Sequence, residues 1–394
     1  MYIYIMFGGE IMKNRFLLSA LFVLIVAAVV NPKTLKISRD KTILKDGPGN
    51  YYDNITVLRK NSEVDLIKEA EEDAGWYYVS YNSKKGYISK LALSERKKSA
   101  DPFDSFGGEF NSGSALKNEL SPASYTAAIK GFALEYSKKR NMKKVDLDSF
   151  FKLLSFKALD VIKVMNETKL AYFPKKGEMI GVQNAYVNQW MEGVGLAVSM
   201  NVLQNGIVYD AAMTKRLNII ANILIRQTYD YDRMYYVVII KDPEPVAYSG
   251  PGGYIFISDT LITMLTDYRE IVAILAHEIG HIAMRHGYRD LAIDTARENM
   301  KESFDELDSE TLTEEEMELS DELQSIIDSA VEALKLVRDD IEEYEADDVA
   351  LELLRRYKIN RSYLKNTLAK VYLKLGSSYP EYKTQFERRI SRIK

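Results

Sequence analysis

The chain has 394 residues, 46% hydrophobic and 28% charged, enough for two or three domains with cores of their own. A net charge of −4 gives no electrostatic footprint for nucleic acid, and DNA and RNA are set aside as partners. There is no cysteine, which excludes a disulfide framework, a thiol nucleophile and thiolate metal ligands, so any metal must be held by His, Asp or Glu.

Lys13 and Arg15 precede "FLLSALFVLIVAAVV", residues 16–30, whose only polar residue is Ser19. A run of this length suits a signal-peptide core, whereas a bilayer span needs about 20 residues. Residues 1–32 are therefore expected to be a signal peptide or a membrane anchor, the chain's only membrane contact. No small-x-small cleavage site follows, and Lys33, Lys36, Arg39 and Lys41 on the far side leave the orientation open. Met12, followed by Lys-Asn-Arg, reads as a better signal start than Met1.

Residues 37–95 read as short strands. "TILKDGPGNYYDNITVL" places a Gly-Pro-Gly turn between two strand-like runs, "SEVDLI" alternates, and "GWYYVSYNSKKGYISKLAL" is a hairpin with a polar turn at Asn82–Lys85. Several short strands in so few residues imply a small barrel. Gly47-Pro48, Gly75-Trp76-Tyr77-Tyr78-Val79 and Gly86-Tyr87-Ile88 resemble the motifs of the bacterial SH3-like domain. The resemblance implies an extracytoplasmic setting and a cell-wall or protein ligand, with Trp76 and Tyr77 the candidates for its groove. Trp76 reads equally well as a core residue.

Residues 96–123 are rich in Gly, Ser, Asp and Pro and read as a linker. Residues 124–184 form a helical connecting region, and "SFFKLLSFKALDVIKVM" and "VNQWMEGVGLAVSMNVLQNG" carry apolar residues three and four apart. "MYYVVII" and "GGYIFIS" are strand candidates around a Gly-Pro-Gly-Gly turn. Residues 302–322 hold eleven acidic residues and no Lys or Arg, as a solvated helix face or insert would.

"LAHEIGHIAMRH", residues 275–286, holds all three histidines of the chain. At about 100° per residue, His277 and His281 sit one above the other on one helical face, where two imidazoles can meet one zinc ion. Glu278, about 100° round, can reach a water at that ion without ligating it. The helix is apolar nearly all round, so burying two His and a Glu there needs a chemical reason. His286, nine residues from His277, falls on the opposite face and reads as structural. A catalytic zinc wants a third protein ligand, which must here be a carboxylate. In "IEEYEADDVALELL", residues 341–354, Glu343, Ala346, Asp347, Ala350 and Leu354 form one stripe. Glu343 is the expected third ligand and Asp347 its hydrogen-bonding support. Glu342 and Glu345 read as solvated.

His277-Glu278-x-x-His281 with Glu343-x-x-x-Asp347 resembles the zinc metallopeptidases of family M48. "PGGYIFISDTLITML" and "WMEGVGLAVSMNVLQNGIVYD" extend the resemblance over about residues 185–394. Two departures stand out. Val246-Ala247 replaces Asn-Ala, and Ser378-Tyr379-Pro380, ahead of Arg389-Ile390, replaces a Ser/Thr-His-Pro. Tyr379 is thus a candidate stabiliser of the developing oxyanion.

The expected architecture is multidomain. A small all-β SH3-like barrel is followed by a mainly α (α+β) zincin-type domain, residues 185–394, with a small sheet beside the active-site helix. The expected function is a Zn²⁺-dependent endopeptidase of the cell envelope with Glu278 as general base, its substrate strand added to a sheet edge near residues 246–257. The rivals are a non-catalytic zinc-containing binding or holdase protein and a metal-free helical scaffold.

Overall fold

The computed structural model describes residues 33–39, 42–69, 75–93, 147–168, 170, 178–182, 189–286, 327–328, 331, 338–375 and 379–394. The expected targeting segment, the linker at 96–123 and the acidic stretch at 302–322 lie outside these residues. Among the described residues no helix is long and apolar enough to cross a membrane.

The first domain is a six-stranded antiparallel sheet: β1 (Lys33–Lys36), β2 (Thr42–Lys45), β3 (Asn54–Leu58), β4 (Glu63–Glu69), β5 (Trp76–Tyr81) and β6 (Lys84–Ser89), in the order β1-β4-β5-β6-β2-β3. It starts at Lys33, ahead of the expected residue 37. Alternate residues Leu44, Leu58, Val64, Val79 and Ile88 turn inward to fill the core with Ile37. The β5–β6 turn is shorter than Asn82–Lys85: Asn82 (φ 44°) and Ser83 (φ 65°) make a two-residue turn, and Lys84 and Lys85 pair in β6. Left-handed φ at both positions matches the twist of the flanking strands.

The second domain begins with α1 (Leu147–Leu154) and α2 (Ala158–Thr168), two helices where the periodicity reads as one run. Then come α3 (Gln189–Val202) and α4 (Ala211–Leu224), whose N-cap Asp210 accepts from Met213 N. Strands β7 (Tyr236–Ile240), β8 (Ala247–Ser249) and β9 (Tyr254–Ser258) form a mixed sheet in the order β7-β9-β8. It is followed by α5 (Asp259–Met264), α6 (Tyr268–Met284), α7 (Asp340–Arg356), α8 (Ser362–Leu375) and α9 (Lys383–Arg392). One apolar core joins α4, β7, β9, α6, α7 and α8.

The outer edge of β7 is closed by side chains. Asn218 and Asn222 on α4 each mimic a strand: their Nδ2 groups donate to Val237 O and Tyr235 O (both 2.7 Å), and their Oδ1 atoms accept from Val237 N (2.9 Å) and Tyr235 N (3.0 Å). Val208 N continues the row to Ile239 O. The buried edge is thus satisfied without a fourth strand, and β8 is left as the other edge.

The barrel docks on this domain through Tyr231. Its hydroxyl donates to Gly75 O (2.8 Å) and accepts from Ser89 Oγ (2.9 Å), and its ring meets Trp76 edge-on at 6.0 Å. Asn50 adds a bond to Asn222 Oδ1 (2.7 Å). Trp76 is 2% exposed, so it cannot line a ligand groove: the domain contact fills the face that it was expected to offer. Tyr77 is half-buried, packs on the barrel core and carries Lys90 Nζ 4.7 Å over its ring.

Removal of an indole packed between two domains leaves a cavity that neither can collapse into. Trp76→Ala is expected to cost about 3–5 kcal/mol in chemical denaturation. A loss under about 1 kcal/mol would show that the docking contributes little.

Candidate metal centre

Helix α6 starts at a capping box, in which the Asp267 side chain and Glu270 satisfy each other's backbone amides. From Glu270 to Ala283 every residue is buried, as the all-round apolar pattern implies. The helix ends at Arg285, a non-glycine residue in the left-handed conformation (φ 65°, ψ 29°). Asp230 fixes that turn, accepting from Arg285 Nη1 (3.0 Å) and Nη2 (2.7 Å) while Tyr235 donates its hydroxyl to the same carboxylate (2.6 Å).

Helix α7, capped by Asp339, packs along α6. They touch at Gly280 and Ala346. A Cβ at Gly280 would stand 2.8 Å from Ala346 O and 2.9 Å from its Cα, both backbone atoms. The smallest residue on each helix therefore lets the chemical side chains meet. His277 Nε2 lies 3.1 Å from His281 Nε2 and 3.4 Å from Glu343 Oε2, and His281 Nε2 lies 3.5 Å from Glu343 Oε1. These three residues offer ligand atoms within 4.8 Å of one another.

Asp347 does not join that triangle. Its Oδ1 sits 3.0 Å from His277 Nδ1, the nitrogen turned away from Glu343. Arg389, on α9, binds Asp347 through two hydrogen bonds (2.8 and 2.9 Å) and Glu343 Oε2 through Nη1 (2.5 Å). Sequence reasoning missed Arg389 as a site residue. The criterion applied to Asp347 would have found it, because Phe386, Arg389, Ile390 and Ile393 share one helical stripe.

Two expectations are corrected, and Tyr379 gains a partner. His286 is not on the far side of the helix: the left-handed turn at Arg285 brings it back, and its Nδ1 lies 2.8 Å from His281 Nδ1. Glu345 is not simply solvated, since its Oε2 lies 2.8 Å from His286 Nε2, and Glu342 is buried beside Arg338 (3.6 Å). Tyr379 donates its hydroxyl to Glu244 (2.8 Å), in the loop between β7 and β8. Arg389 reaches both His277 and the carboxylates of the group.

The charges are tightly balanced. Burial and Arg389 oppose a proton on His277, but hydrogen bonds to Asp347 and Glu343 outweigh them and push it up to about 9. Burial drives His281 down to about 3. Burial raises Glu278, against a smaller opposing pull from His277. Burial works against ionised Glu343 and Asp347 too, yet Arg389 and His277 prevail and hold both below the usual carboxylate range.

Between pH 6.5, the ordinary histidine value, and about 9, the metal-free folded state keeps a His277 proton that the unfolded chain has released. Stability then falls as pH rises through that window. Thermal unfolding in chelator should show a melting temperature that declines from pH 6.5 to 9; a flat or rising profile would contradict this charge arrangement. Gly280→Ala should force the helices apart, costing about 1–3 kcal/mol and weakening metal binding measured by chelator competition. Unchanged affinity would show that the close approach does not set the site.

Two family models match the chain. Residues 212–393 match Peptidase family M48, and residues 40–94 match the bacterial SH3 domain. A comparison with curated proteins finds no match. Residues 212–393 are therefore a metallopeptidase domain of family M48, preceded at residues 40–94 by a bacterial SH3 domain.

Proposed function

We propose that the chain is a zinc endopeptidase in which His277, His281 and Glu343 hold the ion. The convergence of those three ligand atoms carries the reading. Ligands about 2.0–2.2 Å from one tetrahedral zinc stand roughly 3.3–3.6 Å apart, and the separations here run from 3.1 to 3.5 Å. Two imidazoles and a carboxylate, without thiolate, form the donor set of a catalytic rather than a closed structural site.

When bound, the ion supplies a Lewis acid that polarises the scissile carbonyl and acidifies water. Glu278 takes a proton from the attacking water and returns it to the departing amine. Its burial raises its proton affinity, which suits a base that must take and give back a proton near neutral pH. Asp347 accepts from His277 Nδ1, which leaves Nε2 free as a ligand. Arg389 fixes both Asp347 and Glu343.

The substrate strand adds at β8. Strand β9 is the centre of its sheet and cannot receive it, which narrows the expected stretch 246–257 to its first part. Gly250 N donates to Tyr254 O and Ser258 N to Val246 O, so by the antiparallel alternation the main-chain groups of Ala247 and Ser249 point away from β9, where Arg338 Nη2 stands 3.5 Å from Ser249 O. Ser249 lies near enough to Glu278 to favour its ionised form, so that edge stands beside the base. An extended polypeptide suits such an edge, and the SH3 domain and the apolar stretch at 16–30 favour an envelope location and unfolded envelope proteins as substrates. The burial of Trp76 disfavours the rival reading of a binding protein that works through its barrel.

The full-length protein and Glu278→Gln are to be compared for bound zinc and cleavage of casein. Both should hold one zinc, and the variant should lose at least about 10²-fold in turnover. A variant that cleaves like the parent would remove Glu278 as the base.

A further inference from the structure

We infer that His286 and Glu345 form a positioning relay for His281, delivered by the left-handed turn at Arg285. The inference rests on the reading of His281 as a metal ligand and concerns how that ligand is oriented.

His281 turns its Nε2 toward His277 (3.1 Å) and Glu343 (3.5 Å), the side where the ion would sit. Its Nδ1 lies 2.8 Å from His286 Nδ1, and His286 Nε2 lies 2.8 Å from Glu345 Oε2. Two ring nitrogens at that distance need one proton between them, one donating and one accepting. A ring that gives its Nε2 lone pair to a metal keeps its proton on Nδ1. His281 therefore donates and His286 Nδ1 accepts. The proton of His286 is then on Nε2, where Glu345 accepts it. No other tautomer of a neutral His286 satisfies both contacts: a proton on its Nδ1 would set two N–H groups face to face and leave the carboxylate against a lone pair.

The surroundings suit this arrangement. The His286 side chain is fully buried, where a polar ring without partners is costly. The Glu345 side chain is 34% exposed and forms the outer end of this row of contacts. The two ligands are thus supported differently. Asp347 contacts His277 Nδ1 directly (3.0 Å), whereas on the Nδ1 side of His281 the carboxylate of Glu345 stands behind an intervening imidazole. A non-glycine residue at φ 65° carries strain. The Asp230 ion pair holds it there, and the result is a ring placed against His281 that a continued helix would send to the far side.

The chain has three histidines, so imidazole nitrogen NMR of the zinc-loaded full-length protein reads three rings. His281 should carry its proton on Nδ1 and His286 on Nε2, both neutral. Zinc affinity, from competition with a chromophoric chelator, should fall about 10–100-fold in His286→Leu and also in Glu345→Ala. It should return to within about threefold of the parent in His286→Gln, whose amide can accept from His281 and donate to Glu345. A proton on His286 Nδ1, or parent affinity in both His286→Leu and Glu345→Ala, would overturn the relay alone. A parent that binds no zinc would overturn the metal reading and the relay with it.

Discussion

The contact between Gly280 and Ala346 sets how close α6 and α7 can come, and the rest of the site depends on that distance. His277 and His281 arise from one helix and Glu343 from another, more than 60 residues away in sequence. Only backbone-to-backbone approach brings three short side chains within reach of one ion. The caps at Asp267 and Asp339 fix where each helix starts, and the shared apolar core fixes their pairing. Shape alone thus assembles the ligands, and their chemistry follows from the burial that the shape imposes.

That burial concentrates charge. Glu278, Glu343 and Asp347 stand together with two imidazoles in a largely buried region. Arg389 offsets part of the negative charge and is itself held by both α7 carboxylates. Ions removed from water in this way are expensive unless each has partners. The cluster is therefore arranged for function, with a further positive charge completing it when a metal is bound. The barrel contributes from outside: Tyr231 bonds it to the segment that carries Asp230, and Asp230 sets the turn that ends α6.

Much of this was legible in the sequence where the signal was local. The spacing of His277, Glu278 and His281, and the misplaced polarity of Glu343 and Asp347 in an apolar stripe, each need only helical periodicity. The barrel strands and the glycine turn were legible in the same way. What failed depended on distant partners or on where a helix stops. His286 was set on the far face because the wheel was continued past Arg285, and the reason α6 ends there is Asp230, 55 residues earlier. Glu345 followed His286 into error. Trp76 could not be told from a groove residue without Tyr231, which comes from the other domain.

The central claim is that two helices held together at Gly280 and Ala346 present His277, His281 and Glu343 to one ion. Crystals of the zinc-loaded protein, with anomalous data at the zinc edge, test it most directly. One anomalous peak bonded to both Nε2 atoms and to the Glu343 carboxylate is the result that this account predicts. A peak on Asp347 or Glu345 instead of Glu343, or none between α6 and α7, would contradict it.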